Sequence, residues 1–212
     1  MPDTKVYVAD AGSTDSTRDI ALSYLGRLDI AVIPGGLPSV GRNAGARLAD
    51  SSYVLFLDAD VELPDPAQVR RAVTAMRRRK LFCVTTSIVC RDGSLTDKFL
   101  YATNNVMQRI GTWMKPFGTG MFLLFDKEEF DRLGGFNERA LFAEDYLLTK
   151  KISPLRFGII RGHILTTNRR FRKMGHSQMI WLYFKTMMNS WNDSYFLRDQ
   201  EYWDKTHTQE NQ

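Results

Sequence analysis

The sequence predicts an α/β fold in which a mostly parallel, doubly wound sheet is flanked by helices. Over the first ninety residues, strand-like apolar segments alternate with segments of helical spacing in the order β-α-β-α-β-α-β. Residues 53–57 (YVLFL) are apolar throughout, which is typical of a strand buried on both faces of a parallel sheet. Ligands of such sheets bind beyond the carboxyl ends of the strands, so the turns that follow the strands are the expected site.

The first half of the chain divides into strands and helices at clear turn signals. Residues 4–9 are β-rich and end at the turn DAGSTD, and residues 16–26 have helical spacing with Asp15 as the expected N-cap. The remaining expected elements of this half are strands at 30–33, 53–57 and 81–89 and helices at 42–49 and 65–80.

The second half is less regular and contains no internal repeat or linker-like boundary. Its expected elements are helices at 98–112, 127–133, 143–152 and 178–191 and strands at 118–125 and 157–160. The last helix places on one face Ile180, Phe184, Met187, Met188 and Trp191. We expect this face to pack against the core. The alternative is an interfacial helix that docks, with the nearby arginines, on anionic lipid.

The composition is that of an ordinary globular protein. The 212 residues are 43% hydrophobic and 25% charged, which excludes a collagen, a low-complexity tail and a wholly disordered chain. The net charge of +5 suits anionic small molecules or an anionic membrane as partners, and nucleic acid is not expected. Cys83 and Cys90 are expected to be buried free thiols. With no signal peptide and no transmembrane-length apolar run expected, the predicted location is cytoplasmic.

Two strand ends carry aspartates. Asp10 follows the first expected strand, and Gly12 permits a tight turn whose amides favour negative charge; the alternative is a simple helix-capping turn. Asp58 and Asp60 follow the apolar strand 53–57. Two carboxylates there would repel each other unless a cation lies between them, and hard oxygen ligands select Mg²⁺ or Mn²⁺.

Basic and acidic clusters supply the other candidates. Arg42, in the segment GRNAG, has a planar guanidinium that suits phosphate or base oxygens. Glu144 and Asp145 open an expected helix, where such a pair can be a catalytic base or can compensate the helix dipole. The segment 169–173 (RRFRK) could bind a diphosphate, lie in a solvated loop or face a membrane. His163 and His176 flank it and are more typical of structural roles than of metal ligands.

In this order and spacing, the motifs resemble those of family 2 glycosyltransferases, which have the GT-A fold. The matching segments run from residue 6 to about residue 175: VYVADAGSTDST (6–17), GGLPSVGRNAGARLA (35–49), YVLFLDADVELP (53–64), GTGMFLLFDKEEFDRLGGFNE (118–138), FAEDYLL (142–148) and NRRFRKMG (168–175). Position 11 is Ala where many members have Asp. The family also begins with a strand of the type "isVIIPTYNE" and a helix, so the resemblance implies an N-terminally truncated GT-A domain.

The resemblance implies a donor site. Asp10 would contact the nucleotide base beside the Gly12 turn, and Arg42 would also lie in the nucleotide site. Asp58 would face the ribose, and Asp60, with Asp58 beside it, would ligate the Mg²⁺ or Mn²⁺ that bridges the diphosphate. The whole chain is expected to form one domain: a nucleotide-sugar-binding half (1–90), an acceptor and catalytic half (91–175), and a C-terminal amphipathic helix and tail (176–212).

The resemblance also implies the reaction. Asp145 would be the general base that deprotonates the acceptor hydroxyl, with Glu144 as a second candidate, and Arg169 and Arg170 would lie near the leaving diphosphate. Such an enzyme transfers a sugar from a nucleotide diphosphate donor to a saccharide or lipid-linked acceptor with inversion. The implied setting is bacterial cell-envelope polysaccharide or glycolipid synthesis, in the cytoplasm or peripherally at the inner face of the plasma membrane.

Other functions fit less well. A truncated, inactive family member that only binds nucleotides is the main alternative. A nucleotidyltransferase would be expected to carry a Gly-rich, Lys-containing phosphate loop near the N-terminus, which this sequence lacks. The basic residues at 70, 71 and 77–80 could bind nucleic acid, but a solvated helix face is the more ordinary interpretation.

Overall fold

A computed structural model describes residues 4–198 of the chain. The strands are β1 (Lys5–Asp10), β2 (Asp29–Pro34), β3 (Tyr53–Leu57), β4 (Cys83–Cys90), β5 (Phe122–Asp126) and β6 (Phe157–Thr166). The α-helices are α1 (Thr17–Leu22), α2 (Pro38–Leu48), α3 (Gln68–Arg79), α4 (Leu95–Met114), α5 (Lys127–Arg132), α6 (Glu144–Thr149), α7 (Arg169–Met174) and α8 (His176–Met188). The expected alternation of strands and helices over the first ninety residues is confirmed.

The contacts divide the chain into two compact units. Within the described residues, unit 1 comprises residues 4–49, 136–144 and 191–198, and unit 2 comprises residues 50–135 and 145–190. That residues 1–212 form a single domain stays a prediction, and the expected tail beyond residue 198 lies outside the described residues.

Unit 1 is built on a parallel pair of strands. β1 and β2 pair in register from Lys5 opposite Asp29 to Asp10 opposite Pro34. The Gly35 N–H then donates to the Asp10 carbonyl over 2.7 Å. A Cβ on Gly35 would lie 2.8 Å from the Asp10 carbonyl carbon, and one on Gly41 of α2 would lie 2.9 Å from the Ala9 Cβ. Both positions therefore require glycine, because a side chain would push β1 away from its neighbours.

Unit 2 is built on a four-stranded sheet in the order β3-β5-β4-β6. β4 and β6 are parallel, and β5 runs antiparallel to both β3 and β4, so three of the four strands share one direction. The core on this sheet takes side chains from α3, α4, α7 and α8, including Met76, Tyr101, Phe171 and Met179. Cys83 and Cys90 are buried free thiols in β4, as expected.

Local boundaries differ from the expectation where tertiary contacts intervene. Asp15 is not the N-cap of α1; the cap is Ser16, and the Asp15 carboxylate accepts from the Thr17 N–H at 3.0 Å. The basic segment 169–173 does not form a loop but the short helix α7, because Phe171 is buried against Tyr101 with ring centroids 5.2 Å apart.

The expected core face of the last helix is wrong. In α8 the buried side chains are Met179 and Leu182, whereas the predicted core residues of the segment are exposed: Ile180, Phe184, Met187, Met188 and Trp191. The helix begins at His176, whose Nε2 lies 2.6 Å from Asp97 Oδ1 of α4, and this contact fixes the rotation of α8. Among the described residues, no helix combines the length and hydropathy needed to cross a membrane.

Candidate functional site

Asp10 ends β1 and lies in a hydrogen-bonded turn. Its Oδ1 accepts from the Ser13 N–H at 3.1 Å, and its Oδ2 lies 3.7 Å from Arg18 Nε. Hydrogen bonding from Ser13, assisted by the charge of Arg18, lowers the pKa of this carboxyl. Gly12 has a φ of +95°, which favours glycine in this turn. Asp10 is therefore an oriented carboxylate at the carboxyl end of a strand.

Arg42, on α2, is turned toward another predicted site residue of unit 1. Its guanidinium forms a close ion pair with the Glu144 carboxylate and lies over the Phe136 ring at 5.5 Å. Only 14% of the Arg42 side chain and 9% of the Glu144 side chain are exposed. Glu144 is thus neutralised by a cation within its own unit.

Asn43 was missed by the sequence reasoning although it adjoins Arg42. Its side chain donates to the Phe136 carbonyl at 2.8 Å and accepts from the Phe136 N–H at 3.0 Å. It also donates to Glu138 Oε1 at 3.0 Å, and hydrogen bonds from Asn43 and Arg47 lower the pKa of Glu138. A polar residue on the packing face of an expected helix was the available signal. Asn43 fastens residues 136–138 to α2.

In unit 2, Asp60 and the basic segment meet. Asp60 follows the end of β3, and its Oδ2 lies 3.3 Å from an Arg169 guanidinium nitrogen of α7. Two backbone hydrogen bonds of 2.9 Å between Glu62 and Leu165 bring the chain after β3 beside the end of β6, from which α7 follows. A cavity of about 170 Å³ lies here, and its lining includes Asp60, Glu62 and Thr167. Both side chains of the Asp60–Arg169 pair are largely accessible.

Arg170 and His176 lie on a helix pair fastened by a buried carboxylate. Asp97 of α4 accepts from Ser94, from Asn168 at 3.1 Å and from His176 at 2.6 Å. Burial raises the pKa of Asp97, but these hydrogen bonds outweigh it and lower the pKa to about 2. His176 therefore has a structural partner. Burial raises the pKa of Tyr101, and the charge of Arg170, half-buried on α7, partly opposes that rise.

Asp145 differs from its neighbour Glu144. The chain passes from unit 1 to unit 2 between these two residues. Asp145 Oδ2 accepts from the Gly120 N–H at 2.7 Å, and its Oδ1 accepts from the Tyr146 N–H at 2.7 Å. Both of these donors are backbone amides, and together they orient the carboxylate.

The structure thus pairs predicted site residues within each unit. Arg42 meets Glu144 in unit 1, and Asp60 meets Arg169 in unit 2. Asp58, half-buried, directly follows β3 in the same turn as Asp60. Over residues 4–198, no group of three or more His, Cys, Asp or Glu side chains is placed to hold a metal.

Comparisons with known sequences identify relatives. The sequence profile of glycosyl transferase family 2 matches residues 1–137. The chain is 40% identical over 79 residues to validoxylamine A glucosyltransferase of Streptomyces hygroscopicus subsp. jinggangensis, a match covering 35% of this chain and 18% of that protein. It is 24% identical over 162 residues to the O-antigen chain rhamnosyltransferase WbaN of Salmonella anatum, covering 70% of this chain and 51% of that protein. The chain therefore spans about a fifth to a half of the length of these relatives.

Comparison with solved structures agrees with the sequence match. The mannosyltransferase PcManGT of Pyrobaculum calidifontis, solved in complex with GDP-Man and Mn²⁺, matches with a TM-score of 0.60 at 22% identity. The match covers 85% of this chain and 55% of that protein. It confirms the GT-A type of α/β fold that the sequence predicts. Since the family profile covers more than half of the residues, the chain belongs to glycosyl transferase family 2.

Proposed function

We propose that this chain is the catalytic domain of an inverting glycosyltransferase that takes a sugar from a nucleoside diphosphate donor. The observation that carries the proposal is the contact between Asp60, in the turn after the half-buried edge strand β3, and Arg169 of the basic helix α7. Asp60 also lines a cavity, and an Arg169 guanidinium nitrogen lies 3.3 Å from its carboxylate, which supports a site for an anionic, metal-bound group. A metal-bound diphosphate needs both kinds of group, because it carries negative charge and recruits a cation.

The proposed donor contacts are those of Asp10, Gly12, Arg42 and Asp58. Asp10, whose carboxylate is already oriented by Ser13, would accept from a base N–H. Gly12 supplies the positive φ of the turn that follows Asp10. Arg42 would lie in the nucleotide site, where the Glu144 carboxylate balances its charge. Asp58 would accept from a ribose hydroxyl. PcManGT was solved with GDP-Man, which supports a nucleoside diphosphate sugar as the donor class.

Asp58 and Asp60 fit a divalent cation by the chemistry of their donors. Mg²⁺ is commonly bound by one or two carboxylates together with substrate phosphates. Asp58 and Asp60 would supply the carboxylates from one turn. Asp60 would be the direct ligand, with Asp58 beside it. Bound Mg²⁺ or Mn²⁺ would neutralise charge that develops on the leaving diphosphate, and Arg169 and Arg170 would add fixed positive charge on the same side.

Asp145 would be the general base, with Glu144 as the second candidate. As the acceptor oxygen bonds to the anomeric carbon, Asp145 would take the hydroxyl proton while the bond to the diphosphate oxygen breaks. The Gly120 and Tyr146 amides orient Asp145 for this role. Glu144 is less suited because its carboxylate is paired with Arg42.

The acceptor would be a saccharide or a lipid-linked saccharide of the cell envelope. The relative WbaN, named for O-antigen chain synthesis, supports the envelope setting. The exposed apolar residues of α8, among them Trp181 and Phe184, support peripheral contact with the inner face of the plasma membrane.

The test is calorimetry with GDP, UDP, ADP and TDP in the presence of Mn²⁺, followed by donor hydrolysis with the corresponding sugars. We expect one nucleotide to bind, and D60N and R169A to weaken binding at least about tenfold. The matched control is R172A, an exposed arginine of the same helix, which should bind normally. Failure of every nucleotide to bind would contradict the proposal, and binding without sugar release would favour the nucleotide-binding module instead.

A further inference from the structure

Helix α4 carries a second exposed apolar surface. Leu95 and Trp113, near its two ends, are 85% and 86% exposed. Between them the exposed apolar side chains recur at helical spacing: Phe99, Val106 and Ile110. At 1.5 Å per residue, the resulting stripe is about 30 Å long. We call these five residues the α4 stripe.

The rotation that exposes the stripe is fixed by contacts on the opposite face. The Asn105 side chain accepts from the Ile88 N–H at 2.9 Å and donates to the Ile88 carbonyl at 2.8 Å, which fastens α4 to β4. Asp97, Tyr101 and Gln108 are buried on this face. The stripe therefore cannot turn inward without breaking a set of buried hydrogen bonds.

Positive charge borders the stripe. Lys98 and Arg109 lie along one edge of α4, and the one carboxylate of the helix, Asp97, is buried. An open cavity of about 500 Å³ adjoins the C-terminal half of α4 and is lined by Arg79, Arg109 and Arg161. Within residues 4–198, none of these three arginines has a carboxylate partner. Apolar side chains beside unneutralised cations match an anionic lipid surface.

We propose that α4 docks this protein on an anionic bilayer. The α4 stripe would enter the boundary between headgroups and acyl chains, and the arginines of the cavity would bind lipid phosphates. The inference rests on the peripheral membrane contact proposed above and adds α4 to α8 as a helix that contacts the membrane. Asp97 contacts His176 at the start of both helices, and Lys115 Nζ donates to the Ser190 carbonyl just beyond their ends. The two helices thus run in the same direction within unit 2.

The apolar contribution is tested by flotation with phosphatidylcholine vesicles that contain phosphatidylglycerol. The variant F99S/I110S changes two exposed residues of the stripe and should lower the partition coefficient at least about tenfold. The matched control I20S/L25S changes two exposed apolar residues of unit 1 and should leave partitioning unchanged. Equal partitioning of F99S/I110S and the unchanged protein would overturn the proposal. It would also be overturned if the unchanged protein binds no vesicles but self-associates in sedimentation, and F99S/I110S abolishes that self-association.

The phosphate contribution is tested with two adjacent arginines of α3. Arg79 lines the cavity, whereas Arg78 is exposed and does not. We expect R79E to lower binding to the anionic vesicles about tenfold and R78E to lower it by less than about threefold. Equal losses in the two variants, or equal binding of the unchanged protein to pure phosphatidylcholine, would refute the arginine contact. Nucleotide calorimetry on F99S/I110S separates this inference from the proposed transfer reaction, since donor binding should not change.

Discussion

The two units handle their charged side chains differently. In unit 1, Glu144 is paired with Arg42, and Asn43 and Arg47 hold Glu138, so these carboxylates meet cations or amides inside their own unit. In unit 2, Asp145 is held by backbone amides, and the Asp60–Arg169 pair is largely accessible. Glu144 and Glu138 thus hold elements of unit 1 together, whereas the side chains of Asp60 and Arg169 in unit 2 are accessible to a ligand.

The largest effect should follow from D145N. Removal of the proposed base should lower kcat by about 10²–10⁴-fold, because an amide cannot take the acceptor proton. D145N also turns an NH₂ group toward one of the two donating amides, so a modest loss of stability should accompany the fall in kcat. Sugar transfer and the melting temperature are measured on the same preparation, and full activity in D145N would exclude Asp145 as the base.

E144Q should lower stability more than it lowers kcat. It removes the Glu144 charge beside the mostly buried Arg42 and should cost about 3 kcal/mol of unfolding free energy. Denaturant unfolding measures the loss. The matched double variant R42M/E144M removes both charges and should recover most of that stability. If E144Q is as stable as the unchanged protein but inactive, Glu144 rather than Asp145 is the base.

D97N tests whether a buried carboxylate of unit 2 behaves like those of unit 1. Asp97 accepts from the backbone N–H of Ser94, the N-cap of α4, and holds His176, so its loss should cost about 2 kcal/mol. Its pKa is lowered to about 2 in the folded protein, so its stabilisation is present above the ordinary aspartate pKa and is lost as the pH falls toward 2. Melting temperatures of D97N and the unchanged protein should therefore converge as the pH falls from 5 to about 2. Parallel curves would contradict it.

R47A should have the smallest effect. The Arg47–Glu138 pair, at 3.2 Å, belongs to unit 1 like Arg42–Glu144, but both side chains are substantially exposed. Exposed pairs contribute about 0–1 kcal/mol, so denaturant unfolding should shift little and the shift should shrink further in high salt. A loss comparable to that of E144Q would show that burial does not separate the two pairs.

Much of the candidate site was accessible from the sequence because its residues occupy strand ends. Asp10 and Asp58 were expected after β1 and β3, and apolar composition followed by an acidic turn locates such positions without any tertiary information. The partners were not accessible. Nothing local links Arg42 to Glu144 or Asp60 to Arg169, which are separated by 102 and 109 residues.

The exposed helix faces show a second limit to prediction from the sequence. For α8 the sequence offers several apolar stripes, and the predicted one lies outside while Met179 and Leu182 lie inside. A helical period determines that one face is apolar, but it does not select among apolar faces when most positions are apolar. The contact of His176 with Asp97 makes that selection.

The sequence by itself therefore determined the α/β class, the order of the first seven elements, the burial of both cysteines and the strand-end positions of the aspartates. These depend on composition and spacing over a few residues, which local preferences and periodicity encode. Tertiary structure alone decided the pairing of Arg42 with Glu144, the meeting of Asp60 with Arg169, and the outward face of α4 that Asn105 fixes. Those features depend on side chains far apart in the chain, and their geometry exists only once the sheets have brought the elements together.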